Sequence, residues 1–530
     1  MTRGRLPYWN VLAALAFVVA CAGCAGAETT PAPEGPDGSV REIRILATLA
    51  DDNPGEMAVV PPRAKVTGYH ALDLAPDATR LAVAGNDGTI RFYDPRDGKP
   101  LGELKGHTGN VHGLSFAPDS KFLASASADG SIRVWDLAAN ASVLNLKGHE
   151  GAVRCVAFGP TPDRLASSGS DGSIRLWDVK SGRCLRVFTG HGAGSDSVAF
   201  GRDGRTLLSE AGDVTARTWD AVFMREGLVL PERDGSVAAL DLSPDARLGV
   251  TTRGDRTWRV FDTQSGLDVQ VLEGQEGNGS CARFSPDGRT LATGAQDGSL
   301  RLWDLQTGLE RRRLRGTGGS VPKRLALDAS GRWLATLNFD GACLIWDLWG
   351  PPARPKGHAE LTLTTGTDAL QDAWNRLRSY RNPLLRESAV WDLLVRGDDA
   401  ANFIAAQLKP VAREPDPELV ALIGRLDDER YAAREAAETG LALRALDARP
   451  LLRQAAREHP SSEVRARAAR ILATPAPEEI LRQYAAVEIL DWLNRPAATA
   501  HLEALAAGRP DHPLTTWAAL VLERRVARGK

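Results

Sequence analysis

The stretch Gly148–Asp178, GHEGAVRCVAFGPTPDRLASSGSDGSIRLWD, decides the fold of this chain. It contains three short runs of β-forming residues, AVRCVAF, RLASSGS and SIRLWD, which are separated by Thr161-Pro162-Asp163 and by Asp171-Gly172. An Asp-Gly pair between two such runs is a strong hairpin signal, because a tight turn needs residues that tolerate a positive φ. The stretch therefore predicts three successive antiparallel strands.

The same unit recurs along most of the chain. Its third run ends at Tyr93-Asp94, Trp135-Asp136, Trp177-Asp178, Trp219-Asp220, Phe261-Asp262, Trp303-Asp304 and Trp346-Asp347. Successive Asp residues are 42 positions apart five times and 43 once. Each of the seven copies also carries two turn signals, which predict three strands per copy.

A period of about 40–45 residues, with Gly-His near its start and Trp-Asp at its end, resembles the WD40 family of β-propellers. The resemblance covers roughly Ala58 to Asp347. It implies a ring of seven four-stranded antiparallel blades, and we assign this propeller to residues 41–349. In that family the fourth, outer strand precedes the next Gly-His, which here points to segments such as Ser142–Leu146, Cys184–Thr189 and Val269–Leu272.

The seventh blade lacks a fourth strand after Asp347, and the family's solution is a strand from the N-terminal side of the propeller. Two stretches are candidates. Ile43–Leu49, IRILATL, has the better strand composition. Ala58–Ala64 has the better register but contains Pro61-Pro62, which cannot donate to a ladder. The composition favours Ile43–Leu49.

The resemblance also implies a hydrogen-bonded network of His, Ser, Asp and Trp in three of the blades. The residues are His107, Ser125 or Ser127, Asp129 and Trp135 in the second blade, His149, Ser168 or Ser170, Asp171 and Trp177 in the third, and His191, Ser209, Asp213 and Trp219 in the fourth. The sixth blade has Gln275 in place of His. Ser, His and Asp together can form a catalytic triad. A nucleophile does not need three copies, so we interpret the sets as structural partners of buried polar groups.

Motifs of catalysis and of ligand binding are absent from the sequence. It has no GxxxxGK[ST] phosphate loop, no HExxH, no paired CxxC zinc set and no GxSxG elbow. His107 and His112 are close in sequence without a third metal ligand, and His70 and His358 are isolated. We therefore expect no catalytic residue, no cofactor and no metal. The net charge of −2 also gives no reason to expect a nucleic-acid partner.

The N-terminus has the pattern of a secretory signal. Arg3 and Arg5 precede the apolar run VLAALAFVVA, which is too short for a comfortable membrane span. The run ends in Val18-Val19-Ala20-Cys21, which resembles the lipobox of bacterial lipoproteins. The resemblance implies cleavage of a signal peptide, residues 1–20, and lipid attachment at Cys21. The alternatives are an uncleaved anchor and an ordinary signal peptide.

The segment after Cys21 is rich in Pro, Gly, Ala and Thr and has no apolar periodicity. Residues 21–40 are therefore predicted to be a flexible tether. The remaining cysteines are predicted to be small buried apolar residues rather than disulfide partners, since no two of them occupy neighbouring strands of one blade. They are Cys155, Cys184, Cys281 and Cys343.

The composition changes at Gly350. Residues 350–366 form a Pro-rich linker, and residues 367–530 show helical periodicity. The main predicted helices are 384–396, 417–426, 429–446, 462–472, Glu478–Leu493, Ala497–Ala507 and Leu514–Val526. Two phrases, DDERYAAREAAETGL and HPSSEVRARAARIL, resemble HEAT-type repeats and imply an all-α solenoid. The alternative is a plain α-bundle.

Taken together, these features favour a non-catalytic scaffold that binds other proteins and is lipid-anchored outside the cytoplasm. One alternative is an enzyme or small-ligand binder that uses the central channel of the propeller. That alternative requires a pocket with several charged residues and perturbed pKa values. A third hypothesis is an envelope component that spaces membrane layers through the lipid on Cys21.

Overall fold

A computed structural model describes residues 56–60, 68–231, 241–252, 255–315, 320–350, 367–379, 383–412, 414–473, 478–510 and 512–528. All of them fall within one compact unit, Ile45–Lys530. The signal peptide, Cys21, the tether and the segment Ile43–Leu49 lie outside the described residues. Within the described chain, no helix combines the length and the apolar character needed to cross a bilayer.

The repeated units form seven four-stranded antiparallel sheets, as predicted. Six of them are built from consecutive strands. The first strand, β1 (Glu56–Val60), belongs to blade 7. Blade 1 has β2 (Tyr69–Leu74), β3 (Leu81–Gly85), β4 (Ile90–Tyr93) and β5 (Pro100–Leu104). Blade 2 has β6 (Val111–Phe116), β7 (Phe122–Ser127), β8 (Ser131–Asp136) and β9 (Ala141–Lys147), and blade 3 has β10 (Val153–Phe158), β11 (Arg164–Gly169), β12 (Ile174–Asp178) and β13 (Arg183–Phe188). Blade 4 has β14 (Ser195–Phe200), β15 (Thr206–Ala211), β16 (Thr215–Asp220) and β17 (Arg225–Pro231), and blade 5 has β18 (Asp241–Leu242), β19 (Leu248–Thr252), β20 (Trp258–Asp262) and β21 (Asp268–Leu272). Blade 6 has β22 (Gly279–Phe284), β23 (Thr290–Ala295), β24 (Ser299–Asp304) and β25 (Leu309–Arg315).

Blade 7 is closed by β1, which pairs with β28 (Cys343–Asp347) beside β27 (Trp333–Asn338) and β26 (Pro322–Leu327). Val60 pairs with Cys343 and Glu56 with Trp346. The prediction that favoured Ile43–Leu49 was therefore wrong, and the alternative was nearly right. The prolines do not prevent pairing, because the strand ends at Val60, one residue before Pro61.

The turn between the second and third strands of a blade requires a left-handed residue after its Asp. In blade 3 this residue is Gly172, at φ 73°, and an added Cβ would lie 2.9 Å from the carbonyl oxygen of Ala193. In blades 4 and 5 the position is held by Val214, at φ 62°, and Arg256, at φ 69°. A β-branched residue is strained in this region, so the same turn forms in blade 4 with a less suitable residue.

Ten helices are described in the C-terminal third. They are α1 (Thr367–Arg376), α2 (Pro383–Leu394), α3 (Asp398–Gln407), α4 (Pro417–Gly424), α5 (Tyr431–Leu443), α6 (Ala445–Glu458), α7 (Ser462–Ala473), α8 (Glu478–Leu493), α9 (Pro496–Ala506) and α10 (Pro513–Arg528). The sequence did not predict α1 and α3, and it joined α5 to the start of α6. At α4 the predicted start is confirmed, since the Asp416 side chain accepts a hydrogen bond from the Glu418 amide at 2.8 Å.

The helices enclose two apolar cores. One core contains residues of α4 to α7, among them Leu419, Leu441 and Val464. The other unites α1–α3 with α8–α10, so that α8 packs against α2 and α3 although more than seventy residues separate them. The all-helical region is thus confirmed, whereas the HEAT-like repeat of α5 and α7 stays a prediction.

Candidate functional site

The predicted polar networks lie at equivalent places in blades 2, 3 and 4. In blade 3, His149 Nδ1 lies 3.0 Å from Asp171 Oδ1 and its Nε2 lies 2.8 Å from Ser167 Oγ. Trp177 Nε1 donates to the same Ser167 Oγ at 2.9 Å. The structure brings together the corresponding sets His107, Ser125, Asp129 and Trp135, and His191, Ser209, Asp213 and Trp219.

The serine of blade 3 is Ser167, so the predicted choice between Ser168 and Ser170 was wrong. Side chains alternate between the two faces of a strand. Ser167 precedes Trp177 by ten residues, the same interval that separates Ser125 from Trp135. Ser168 points to the other face, where its buried hydroxyl has no hydrogen-bond partner among the described residues. In blade 6, Gln275 Nε2 donates to Thr293 Oγ1 at 3.0 Å, and the threonine takes the place of the serine.

Burial and hydrogen bonding act in opposite directions on the pKa values of His149 and Asp171. Burial lowers the pKa of His149, against the attraction of Asp171. For Asp171 burial alone would raise the pKa, but hydrogen bonds from the Glu150 amide and from His149 outweigh it and lower the pKa to about 2. The carboxylate is therefore ionised at neutral pH and accepts hydrogen bonds, as a structural partner must.

Asp171→Ala is expected to destabilise the protein by about 1–3 kcal/mol, because His149 and two backbone amides lose their acceptor. His149→Ala should lower the free energy of unfolding by less in the Asp171→Ala variant than in the wild type, since the two residues are in contact. Urea unfolding of the two single variants and the double variant measures both effects. Asp119→Ala, an exposed turn residue that accepts from the Lys121 amide, is the control.

The same network predicts acid sensitivity. The stabilisation from Asp171 is present above its unfolded pKa of 3.8 and is lost as the pH falls towards 2.

An unchanged melting temperature in Asp171→Ala, together with loss of a hydrolytic activity found in the wild type, would contradict the structural interpretation.

A central cavity of about 190 Å³ is lined by residues from all seven blades. Six innermost strands carry a β-bulge at their second residue; only two residues of the innermost strand of blade 5 are described. A bulge re-aims the side chain of the extra residue. The bulge residues are His70, His112, Arg154, Asp196, Ser280 and Lys323.

Carboxylates deeper in the channel link neighbouring blades. Asp73 Oδ2 accepts a hydrogen bond from the Phe116 amide of the next blade at 2.7 Å. Asp241 Oδ2 accepts one from the Phe284 amide at 2.7 Å, and its Oδ1 lies 3.3 Å from Arg283 Nη1. Burial raises the pKa of Asp73 to about 6. The channel therefore contains charged residues with perturbed pKa values, which the channel hypothesis requires.

The sequence treats His70 as isolated and gives His112 no partner except His107, but the structure brings His70 and His112 together. In the structure Lys323 Nζ lies 2.7 Å from His70 Nδ1, and His70 Nε2 lies 2.5 Å from Asn86 Oδ1. The rings of His70 and His112 have centroids 5.7 Å apart. The signal was present in the sequence, since 42 residues separate His70 from His112 and 42 more separate His112 from Arg154. The described residues contain no group of three His, Cys, Asp or Glu side chains suited to a metal.

The outer strands of the blades differ sharply in exposure. In blade 5, Leu267, Val269 and Val271 follow one another at every second position and are all exposed; we call these three residues the blade-5 rim. The side chain of Leu267 is 69% exposed. Leu309, 42 residues later in blade 6, is 5% exposed because it belongs to the core of the helical region.

The helical region covers blade 6 through arginine contacts. The Arg311 guanidinium lies 3.5 Å from the centre of the Trp517 ring, and its Nη2 lies 2.8 Å from Glu488 Oε1. Arg449 donates to the backbone oxygens of Gln306 and Thr307 at 3.0 and 2.6 Å. These bonds satisfy backbone groups of the turn before β25, so the helices and the propeller share a built interface.

The four cysteines in the part of the chain that the structure describes are free thiols, but their surroundings differ. Cys281 and Cys343 are buried, as predicted, and Cys155 is half-buried beside the channel. Cys184 is exposed, so the prediction of four buried cysteines was wrong there. It lies on the outer strand β13, whose side chains at this position face solvent.

A comparison with protein families finds a match to the model described as WD domain, G-beta repeat. The matched residues are 65–94, 98–136, 140–178 and 267–304. They include the first three strands of blades 1, 2, 3 and 6. No curated protein matches the chain significantly.

Proposed function

The chain carries WD40 repeats and closes into a seven-bladed propeller, a fold commonly used for protein–protein interaction, and from this premise we propose that it is a non-catalytic scaffold whose blade-5 rim binds a protein partner. The proposal also places the protein outside the cytoplasm, held at the cell envelope by a lipid on Cys21. Fold alone does not determine function, so the proposal depends on a particular surface.

The observation that carries it is the contrast between blades 5 and 6. In and just before its outer strand, blade 5 exposes Leu267, Val269 and Val271, whereas blade 2 has Ala141, Val143 and Asn145 at the equivalent places. Three large apolar side chains exposed so close together are an unusual feature of a protein surface and are prone to aggregation unless something covers them. Single exposed apolar residues, such as Val143, need no such explanation.

The occupant of the rim is inferred from the neighbouring blade. The chain's own helices α6, α8 and α10 cover the outer strand of blade 6 and its preceding turn, and they bury Leu309. The rim of blade 5 offers Leu267 at the same structural position. We therefore expect the partner to present an amphipathic helix whose apolar side covers Leu267, Val269 and Val271.

Leu267→Asp is expected to weaken partner binding at least tenfold, because it places a charge within a desolvated apolar contact. The stability of the propeller should change little, since Leu267 is exposed. Affinity capture from envelope extract with the mature chain, quantified for the wild type and the variant, measures the effect.

Val143→Asp is the matched control, because Val143 is exposed at an outward position of blade 2. A partner captured equally by the wild type, Leu267→Asp and Val143→Asp would refute the assignment of the blade-5 rim.

The proposed anchor is supported by the sequence of the N-terminus. Two arginines precede an apolar run of ten residues, and the run is followed at once by Cys21. The positive flank, the short apolar core and the small residue before the cysteine are typical of a cleaved signal. One acyl chain gives only marginal membrane binding, which makes the number of attached chains important for anchoring.

Cys21→Ser is expected to abolish lipid modification and to release the protein from the membrane fraction. Incorporation of labelled fatty acid and membrane fractionation measure the two consequences. Cys24→Ser, three residues later, keeps Cys21 and should behave as the wild type. Wild-type protein that incorporates no label would contradict the anchor.

A further inference from the structure

We propose that the mouth of the central channel binds a small oxyanion, a molecule with two or more negative charges on carboxylate or phosphate groups. The site is formed by Lys323, His70, His112 and Arg154, with Arg324 one residue further along its strand; of these, His112 and Arg324 line the central cavity itself. This activity goes beyond the scaffold function and does not depend on the blade-5 rim.

Four consecutive blades supply the basic side chains, of which Lys323 and Arg154 carry the charge and His70 and His112 offer neutral rings that can donate hydrogen bonds. Blades 7, 1, 2 and 3 place Lys323, His70, His112 and Arg154 at the same bulge position of their innermost strands. Because the bulge repeats around the ring, these side chains come from one level of the channel. The equivalent residues of blades 4 and 6 are Asp196 and Ser280, so the positive charge is concentrated on one side.

The cations are poorly neutralised by the protein. Lys323 directs its ammonium at His70 Nδ1 rather than at a carboxylate. Asp196 lies 3.8 Å from Arg154, and both side chains are exposed. Burial, followed by the charge of Arg324, lowers the pKa of Lys323. Burial also lowers the pKa of His112, and electrostatic repulsion from His70 and Arg154 lowers it further. Such mutual repulsion is relieved when an anion binds among the groups.

Glu210 supplies an independent observation deeper in the cavity. Its side chain lines the cavity, is 6% exposed and leaves Oε2 without a hydrogen-bond partner in the described chain. Burial raises its pKa to about 7, against the attraction of Arg324. A carboxyl group that is protonated near neutral pH is a hydrogen-bond donor. Glu210 and Arg324 can thus both donate to an oxygen of a bound molecule.

The size of the cavity selects a small ligand. At about 190 Å³ it holds a compact polyatomic anion, whereas pockets for larger ligands begin at roughly 300 Å³. Asp73 and Asp241 also line it, but their carboxylates already accept hydrogen bonds from backbone amides of the next blade, which fix neighbouring blades to each other. A site fixed by a closed ring is preorganised, which reduces the entropic cost of binding.

Isothermal titration of the mature chain with citrate and, separately, with inorganic phosphate tests the site. We expect saturable binding of at least one probe, and a Kd at least tenfold higher in Lys323→Gln and in Arg324→Gln. Binding of citrate alone assigns a polycarboxylate, and binding of phosphate alone assigns a phosphate group; either result supports the site.

Lys147→Gln is the control, because it removes the same charge from the outermost strand of blade 2, where Lys147 is exposed. Arg154→Gln replaces Arg324→Gln if the latter fails to fold, since Arg154 is exposed at the mouth. No saturable binding of either probe to the folded wild type, or equal weakening in Lys147→Gln, would overturn the proposal. If neither anion binds but the blade-5 rim still captures its partner, only the anion site is refuted and the scaffold function stands.

Discussion

A chain that begins at residue 61 is expected to unfold at a much lower temperature than one that begins at residue 54. The shorter chain lacks β1, which forms the fourth strand of blade 7. Without it the backbone of β28 loses its outer partner, and blades 7 and 1 are held together only by the packing of their own strands. Four residue pairs are removed, which corresponds to a loss of about 4 kcal/mol if each contributes one net hydrogen bond of ordinary strength.

The longer chain is the control, since it lacks Ile43–Leu49 but keeps Glu56–Val60. Calorimetry of both truncations beside the mature chain measures the effect. A melting temperature that falls already in the chain beginning at residue 54 would show that the segment before β1 contributes to closure.

Glu310→Ala is expected to destabilise the protein by about 3–5 kcal/mol, because it leaves a buried charge without its main partner. Glu310 Oε2 lies 2.9 Å from Arg301 Nη1, and Oε1 lies 2.9 Å from Arg313 Nε. The Arg301 side chain is fully buried. Asp297, at 3.3 Å from Arg301, remains and offsets only part of the loss.

Blade 4 provides a matched control for this variant. Arg217 and Glu226 form the equivalent ion pair, 84 residues earlier, but the glutamate is 39% exposed. Exposed pairs contribute about 1 kcal/mol or less, so Glu226→Ala should have a small effect. Denaturant unfolding of both variants gives the comparison. Equal destabilisation would mean that the deeper burial of Glu310 does not strengthen the pair in blade 6.

Most of the fold could be predicted because its signals are local. Asp171-Gly172 marks one turn, Trp177-Asp178 marks one strand end, and their repetition at 42 residues defines the ring. The prediction of Ser168 or Ser170 missed Ser167, because the choice of serine depends on which face of β11 each side chain occupies. The interval of ten residues to Trp177 would have identified Ser167.

The functional surfaces were harder to predict because they depend on tertiary contacts. Leu267 and Leu309 occupy the same repeat position, and only the docking of the helices makes one exposed and the other buried. His70 and Lys323 meet across the junction between blades 1 and 7, although 253 residues separate them. Likewise, the residues Glu56–Val60 have only an ordinary strand propensity, and it is their pairing with β28 that makes them a strand.

Photo-crosslinking in the native host shows whether the partner contacts the blade-5 rim. A photoreactive residue is placed at position 269, and at position 143 of blade 2 in a parallel strain. The account predicts a crosslinked adduct of defined mass from position 269 and none from position 143. No adduct from position 269, or the same adduct from both positions, would contradict the claim that the blade-5 rim is the partner-binding surface.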